Sequence, residues 1–267
     1  MDGMFKYPRT RHIDGSRLQA GDEDLKSVKF EVIKDKYIVV EEKVDGANTG
    51  ISFDNSGNLL LQSRGHFFNG GYGEKQFSLF KMWANSNKNE LESILGNRYV
   101  MYGEWLYAKH TVFYDELTHY FMEFDIYDKS ENKFLSTKRR KEMLRGHKFI
   151  TSVLVLYEGK VNKLKELTSF LSRSNFKSEN CQEVLKKQCE ELNLSYEVVK
   201  KQTDASDLME GLYIKVESEN EVIDRFKYVR NSFLNTILDS ETHWINRTII
   251  PNKLKEGLDL FSLGEEV

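Results

Sequence analysis

The run Glu41-Glu42-Lys43-Val44-Asp45-Gly46-Ala47-Asn48 ends a β-rich stretch on a lysine, with a glycine three residues later. That spacing fits a lysine at the end of a strand, aimed from a sheet edge into a cleft, with Gly46 supplying the tight turn. An amine attacks only when neutral, and an ordinary lysine titrates near about 10.4. Burial and neighbouring cations lower that value, which is how a protein obtains a nucleophilic lysine. Taken alone, Lys-x-Asp-Gly is a short pattern, and a solvated turn lysine explains it better.

It does not stand alone. Ser63-Arg64-Gly65, Gly103-Glu104-Trp105, Phe124-Asp125-Ile126, Glu210-Gly211-Leu212-Tyr213-Ile214-Lys215 and Lys227-Tyr228-Val229-Arg230 follow in order. In that order and at those spacings they resemble the nucleotidyltransferase motifs of the ATP-dependent polynucleotide ligases and capping enzymes. The RNA ligase branch typified by T4 RNA ligase 2 is the most similar, over roughly residues 37–230.

The resemblance implies an ATP-grasp-like ligase fold and a role for each matched residue. Lys43 would attack the α-phosphorus of ATP, forming lysyl–AMP and releasing pyrophosphate. Glu42 would accept from the adenine amino group, Phe124 would stack on the base, and Glu104 would hold the ribose. Asn48 and Arg64 would engage the 5′-phosphate end of the RNA. Glu210, with Glu104, would organise Mg²⁺ or Mn²⁺ through its water shell, while Lys215 and Lys227 would contact the α-phosphate and the leaving group. Nucleotidyl transfer gathers negative charge on phosphate oxygens, so positioned cations are its main catalytic resource. Two further lysines near Lys43 would also depress its pKa.

The implied activity is ATP-dependent joining of 3′-OH and 5′-phosphate RNA ends through lysyl–AMP and RNA-adenylate, as in RNA repair. An end-healing kinase or phosphatase, or an accessory domain, would be the natural partner. The rivals are a DNA ligase, a capping-type nucleotidyltransferase, and a nucleic-acid-binding chain that keeps the fold without the chemistry. One departure stands out. The late motif usually carries two lysines one residue apart, and Val229 occupies the second place. Arg230 would replace it only if the strand bends, because residues 227 and 230 point to opposite faces.

The elements that must position these residues read as α+β, with antiparallel sheets flanked by helices. Strands are expected at 37–42, 49–53, 59–63, 99–107, 120–127, 153–157, 213–217 and 226–229. Helices are expected at 76–85, 136–148, 161–171 and 183–194. The turn Asp54-Asn-Ser-Gly-Asn58 between two strands predicts a hairpin. The ligase domain is placed at 1–230, with 231–267 a short, mainly helical tail and no OB-fold after Lys227.

Composition sets the limits. The 267 residues are 39% hydrophobic and 30% charged, which suits a globular core and excludes general disorder. The longest aliphatic runs are too short for a bilayer and the N-terminus is polar, so the expected address is the cytoplasm. Net charge is −3, yet residues 126–200 carry +6. That excess permits a polyanionic partner, and Lys138-Arg139-Arg140-Lys141 within it is a candidate RNA-backbone contact against the alternative of a solvated helix face. Residues Lys6–His12 are expected to be solvated. Cys181 and Cys189 lack any metal-ligand spacing, and a buried reduced thiol is expected at Cys189. His110 and His119 are expected to be structural or on the surface.

Overall fold

The computed structural model describes residues 3–16, 25–233 and 247–261, the side chain of Tyr72 excepted. Its elements in chain order are β1 (Arg11–His12), β2 (Ile38–Lys43), β3 (Ala47–Phe53), β4 (Leu59–Ser63), α1 (Ser78–Ser86), α2 (Lys88–Leu95), β5 (Tyr99–Trp105), β6 (Phe121–Asp128) and β7 (Lys133–Phe134). They continue with α3 (Thr137–Met143), β8 (Thr151–Ser152), β9 (Val155–Gly159), α4 (Leu164–Thr168), α5 (Cys181–Glu191), α6 (Tyr196–Lys201), β10 (Gly211–Glu217) and β11 (Val222–Val229). The strands make two sheets, ordered β1-β11-β10-β2-β9 and β4-β3-β5-β6-β7, with β8 beside β6. All pairings are antiparallel except the short β1–β11 and β6–β8 contacts.

Alternation explains how each sheet finds its core. In the first sheet Ile38 and Val40 of β2 share a face with Leu212, Ile214 and Phe226, and this face forms one apolar cluster. The opposite face of β2 therefore carries Val39, Glu41 and Lys43. In the second sheet Ile51, Met101, Trp105 and Phe121 pack against Phe80 and Trp83 of α1. Asn48 and Glu104, which are partners in register, turn to the other face. The two polar-bearing faces thus meet, with Lys215 of the first sheet 3.2 Å from Asp125 of the second.

Four expectations need correction. Residues 153–157 were to be a buried strand, but β9 is an edge strand paired on one side only, and Leu154 is 42% exposed. The 136–148 helix stops at Met143, and Gly146 adopts a positive φ of 85° just beyond it. Its Ser136 N-cap is present, accepting from the Arg139 backbone N–H at 3.4 Å. Within 161–171 only Leu164–Thr168 is helical, although Val161 and Leu167 are buried as apolar periodicity requires. The N-terminal segment is solvated only in part: Lys6, Arg9 and Arg11 are exposed, but Tyr7 is 4% exposed, packs on Tyr102 and Phe124, and donates to Asp125.

After residues 231–233 the tail's described part, 247–261, runs through isolated bridges and turns and holds no helix. It forms bridges from Pro251 to Ala108 and from Leu254 to Leu117, and Asn252 bonds both Leu106 and Tyr114. The rest of the expected helical tail lies outside the described residues. No barrel follows β11 among the described residues, and none of their helices is long and apolar enough to cross a membrane.

Candidate active site

Lys43 is the last residue of β2, and the chain then crosses to the second sheet through Val44-Asp45-Gly46. A Cβ at Gly46 would lie 2.6 Å from the Trp105 carbonyl oxygen, so only glycine permits this close crossing. The Gly46 N–H donates to Glu104 Oε1 at 3.1 Å, tying the turn to β5. On the other side Gly211 lies opposite Lys43, and a Cβ there would meet the Tyr228 carbonyl at 2.0 Å. Glu210, just before it, accepts from Lys43 Nζ at 2.7 Å. The amine therefore sits between a carboxylate from each sheet.

That setting reverses one electrostatic expectation. Burial acts to lower the Lys43 pKa, but Glu210, Glu104 and Asp45 outweigh it and raise the value above the ordinary one. Burial, only partly offset by Lys43 and Arg64, pushes Glu104 up to about 7, with Glu210 and Asp45 adding repulsion. Glu210 is also raised, by burial first, against the pull of Lys43. Like-charged carboxylates, not lysines, dominate the nucleophile's surroundings.

A pH prediction follows with a definite sign. Glu210→Gln removes an anion and a charge-assisted hydrogen bond from the ammonium, so the Lys43 pKa must fall. Labelling of Lys43 by an amine-reactive reagent, read by mass spectrometry without nucleotide, should show its inflection at lower pH in the variant. An inflection that stays put or moves upward would remove Glu210 from this role.

The other sequence-predicted residues separate into two groups. Glu104, Glu210 and Asn48 gather near Lys43, and exposed Arg64 lies close enough to act on Glu104 electrostatically. Lys227 shares the cleft-side face of the first sheet, two strands across from β2 and level with Glu41 through Tyr213, and acts on Glu210. Phe124 is half-buried at a bulge in β6, where Tyr7 meets it edge-on at 5.1 Å. Glu42, by strand alternation, faces away from Lys43. Its carboxylate accepts from Ser174 Oγ at 2.6 Å and from Asn175 Nδ2 at 2.8 Å.

Lys215 is fully buried, with its ammonium 3.0 Å from Glu41 and 3.2 Å from Asp125 while it donates to the Phe124 carbonyl. Val229 is buried with Val44, Leu106 and Phe176. Arg230 does not replace the missing lysine, because its guanidinium is held by Asp204 and the Met209 carbonyl.

The basic run divides between surface and interior, with Lys138 and Lys141 exposed and Arg140 buried. Lys138 pairs with Glu219 at 3.0 Å, Lys141 pairs with Glu158 at 2.8 Å, and Arg140 is 1% exposed. His110 and His119 are buried, as are both cysteines. Sequence reasoning passed over Asp45, whose Oδ2 accepts from the backbone N–H groups of Thr111 and Val112 at 2.7 Å each. It also passed over Glu41 and Tyr7. No local signal marks these, since their partners are more than sixty residues away in sequence.

A lysine paired with a buried carboxylate thus lies where the two sheets meet. A scan of protein families matches residues 36–229 to the family described as RNA ligase, and the chain belongs to that family. Solved structures agree on the fold. A point mutant of the Naegleria gruberi RNA ligase with ATP and Mn is similar at a TM-score of 0.52 and 16% identity, over 78% of this chain and 53% of that one. Another mutant with AMP and Mn gives 0.52 and 18%, over 78% and 54%. This chain therefore spans about half the length of those proteins. A search of curated proteins found no match.

Proposed function

We propose that this chain is an ATP-dependent RNA ligase joining 3′-OH and 5′-phosphate RNA ends, with Lys43 as the nucleophile that takes up AMP. The observation that carries this reading is the Lys43 amine set between Glu210 of one sheet and Glu104 of the other. Residues up to 230 supply the motifs and form the catalytic unit.

ATP binds with its base against Phe124 and its ribose at Glu104. Lys227 lies on the Lys43 face and meets the phosphates. Glu42, engaged with Ser174 and Asn175, presents the adenine edge only if one of those contacts yields. Lys215 serves through the Phe124 carbonyl that it holds. Asn48 and Arg64 take the 5′-phosphate end of the RNA. An end-healing kinase or phosphatase would prepare the ends.

The residues fit a divalent cation held through water. Among the described residues no three His, Cys, Asp or Glu side chains could hold a metal directly. Yet Glu210 and Asp45 act to raise Glu104, and Asp45 acts to raise Glu210, a surplus of negative charge that a hydrated Mg²⁺ or Mn²⁺ would relieve. Such an ion supplies charge neutralisation at the phosphates and weakens the hold of Glu210 on Lys43.

The test separates the nucleotide step from the RNA steps. Adenylation needs ATP, metal and the pocket, whereas sealing also needs two RNA ends held in line. Arg64→Ala should retain more lysyl–AMP formation than joining of 5′-phosphorylated RNA. Joining should also fall more steeply with salt than adenylation, because phosphate contacts release counterions. Equal loss of both steps in Arg64→Ala would overturn its RNA role. Equal sealing of purified RNA-adenylate to RNA and DNA 3′ termini would replace the RNA ligase reading with a DNA ligase.

A further inference from the structure

A chain of buried charges runs between the sheets behind the candidate site. Arg140 of α3 donates to Glu41 at 2.7 Å and to Glu123 at 3.3 Å. Glu41 also meets Lys215, at 3.0 Å, and Lys215 continues to Asp125 at 3.2 Å. Asp125 accepts from Tyr7 and lies 3.6 Å from Arg225. Glu123 accepts in addition from Ser152 Oγ at 2.7 Å. Three carboxylates thus face three cations, and only Arg225, with 12% of its side chain exposed, reaches appreciably towards solvent.

Such a network is poorly explained by stability. Removing charges from water costs several kcal/mol per ion, and an apolar filling is often as stable or more so. Its geometry offers another reason. Glu41 stands two residues before Lys43 on the same face of β2, and Glu123 stands one residue before Phe124 on β6. Those strands belong to different sheets. The Lys215 ammonium also spans these strands, through Glu41 and Asp125, but a guanidinium has a rigid fork of donors, so its bonds to Glu41 and Glu123 fix orientation as well as separation.

We propose that Arg140 is a positioning residue for adenylation: by bridging Glu41 and Glu123 it sets the nucleophile strand against the base-stacking strand. It touches neither nucleotide nor RNA. This rests on the ligase reading above for its kinetic consequence, and on geometry alone for its structural one.

Arg140→Lys keeps the charge but meets only one carboxylate well, while Arg140→Met removes both bonds. In variants with a native far-ultraviolet spectrum, Arg140→Lys should slow Lys43–AMP formation at saturating ATP by about tenfold or more, the scale on which misplaced reacting groups cost rate. Arg140→Met should be slower still, and the salt slope of sealing purified RNA-adenylate should match that of the parent chain. A rate and KM for ATP unchanged in folded Arg140→Lys would overturn the proposal. So would normal adenylation with a weakened salt slope, which would return Arg140 to the RNA surface.

Amide hydrogen exchange on the same samples without nucleotide provides a second arm. Protection should fall together on β2 and β6 in Arg140→Lys. Loss confined to α3 would overturn the bridge. Because this arm needs no adenylation, a wild-type chain that forms no lysyl–AMP would refute the ligase reading while leaving the bridge to be judged by exchange.

Discussion

Lys43→Ala should abolish formation of a covalent AMP adduct. Intact-mass and peptide spectrometry of the chain with ATP and Mg²⁺ or Mn²⁺ should place the adduct on Lys43 and find none in the variant. Lys43 has the required exposure, with 21% of its side chain accessible at the cleft, and carboxylates on both sides. Lys215 is fully buried and paired with two carboxylates, and Lys227 lies two strands across the sheet, level with Glu41. The remaining lysines in the motifs are therefore poorly placed to substitute. An adduct undiminished in Lys43→Ala would overturn the nucleophile assignment. The fold should tolerate the change, because the removed group is the partly exposed end of a strand and not a core residue.

Glu104→Ala and Glu210→Ala should each cut adenylation by about a hundredfold or more, the usual cost of losing one positioned electrostatic contact to a transition state. For Glu210 two effects compete. Removing it frees the Lys43 amine, which alone would speed attack near neutral pH. It also removes a carboxylate suited to organising the cation, which lowers the rate. The neutral fraction of an amine gains at most tenfold for each unit of lowered pKa, and that gain ends once the amine is neutral. The loss persists at every pH. Net loss is expected, with the deficit smallest at low pH.

Glu104 gives a cleaner case. Its carboxylate is raised to about 7 by burial and by neighbouring anions, so it is held in a setting that resists its charge. Removing such a group should not lower the melting temperature, as is common where function is kept at the expense of stability. Near-wild-type adenylation by either folded variant would move that glutamate to a structural role.

The sequence by itself determined the chemistry-bearing list and much of the framework. The hairpin at Leu59–Ser63, the strands around Lys43 and Glu104, and the late strands at Tyr213 and Phe226 all carry local signals that the structure bears out: alternation, aromatic content or a turn tetrad. The order of motifs was also legible, and the family match covers nearly the same span. Short β1, β7 and β8 were not, because a two-residue strand exists only through its partner. The helices α2 and α6 were missed as well, although each carries an ordinary helical run.

What only the tertiary structure decided is where charge is neutralised. The segment Lys138–Lys141 reads as a basic patch in one dimension, yet Arg140 is buried against Glu41 and Glu123, and Lys138 and Lys141 pair with Glu219 and Glu158, all from distant strands and loops. Lys43 reads as a lysine among lysines, yet folding surrounds it with Glu104, Glu210 and Asp45, and its proton affinity rises instead of falling. Coulomb energy depends on separation and local dielectric, and neither is a property of sequence spacing. Residue type fixes which groups can titrate; the approach of the two sheets fixes which of them feel one another.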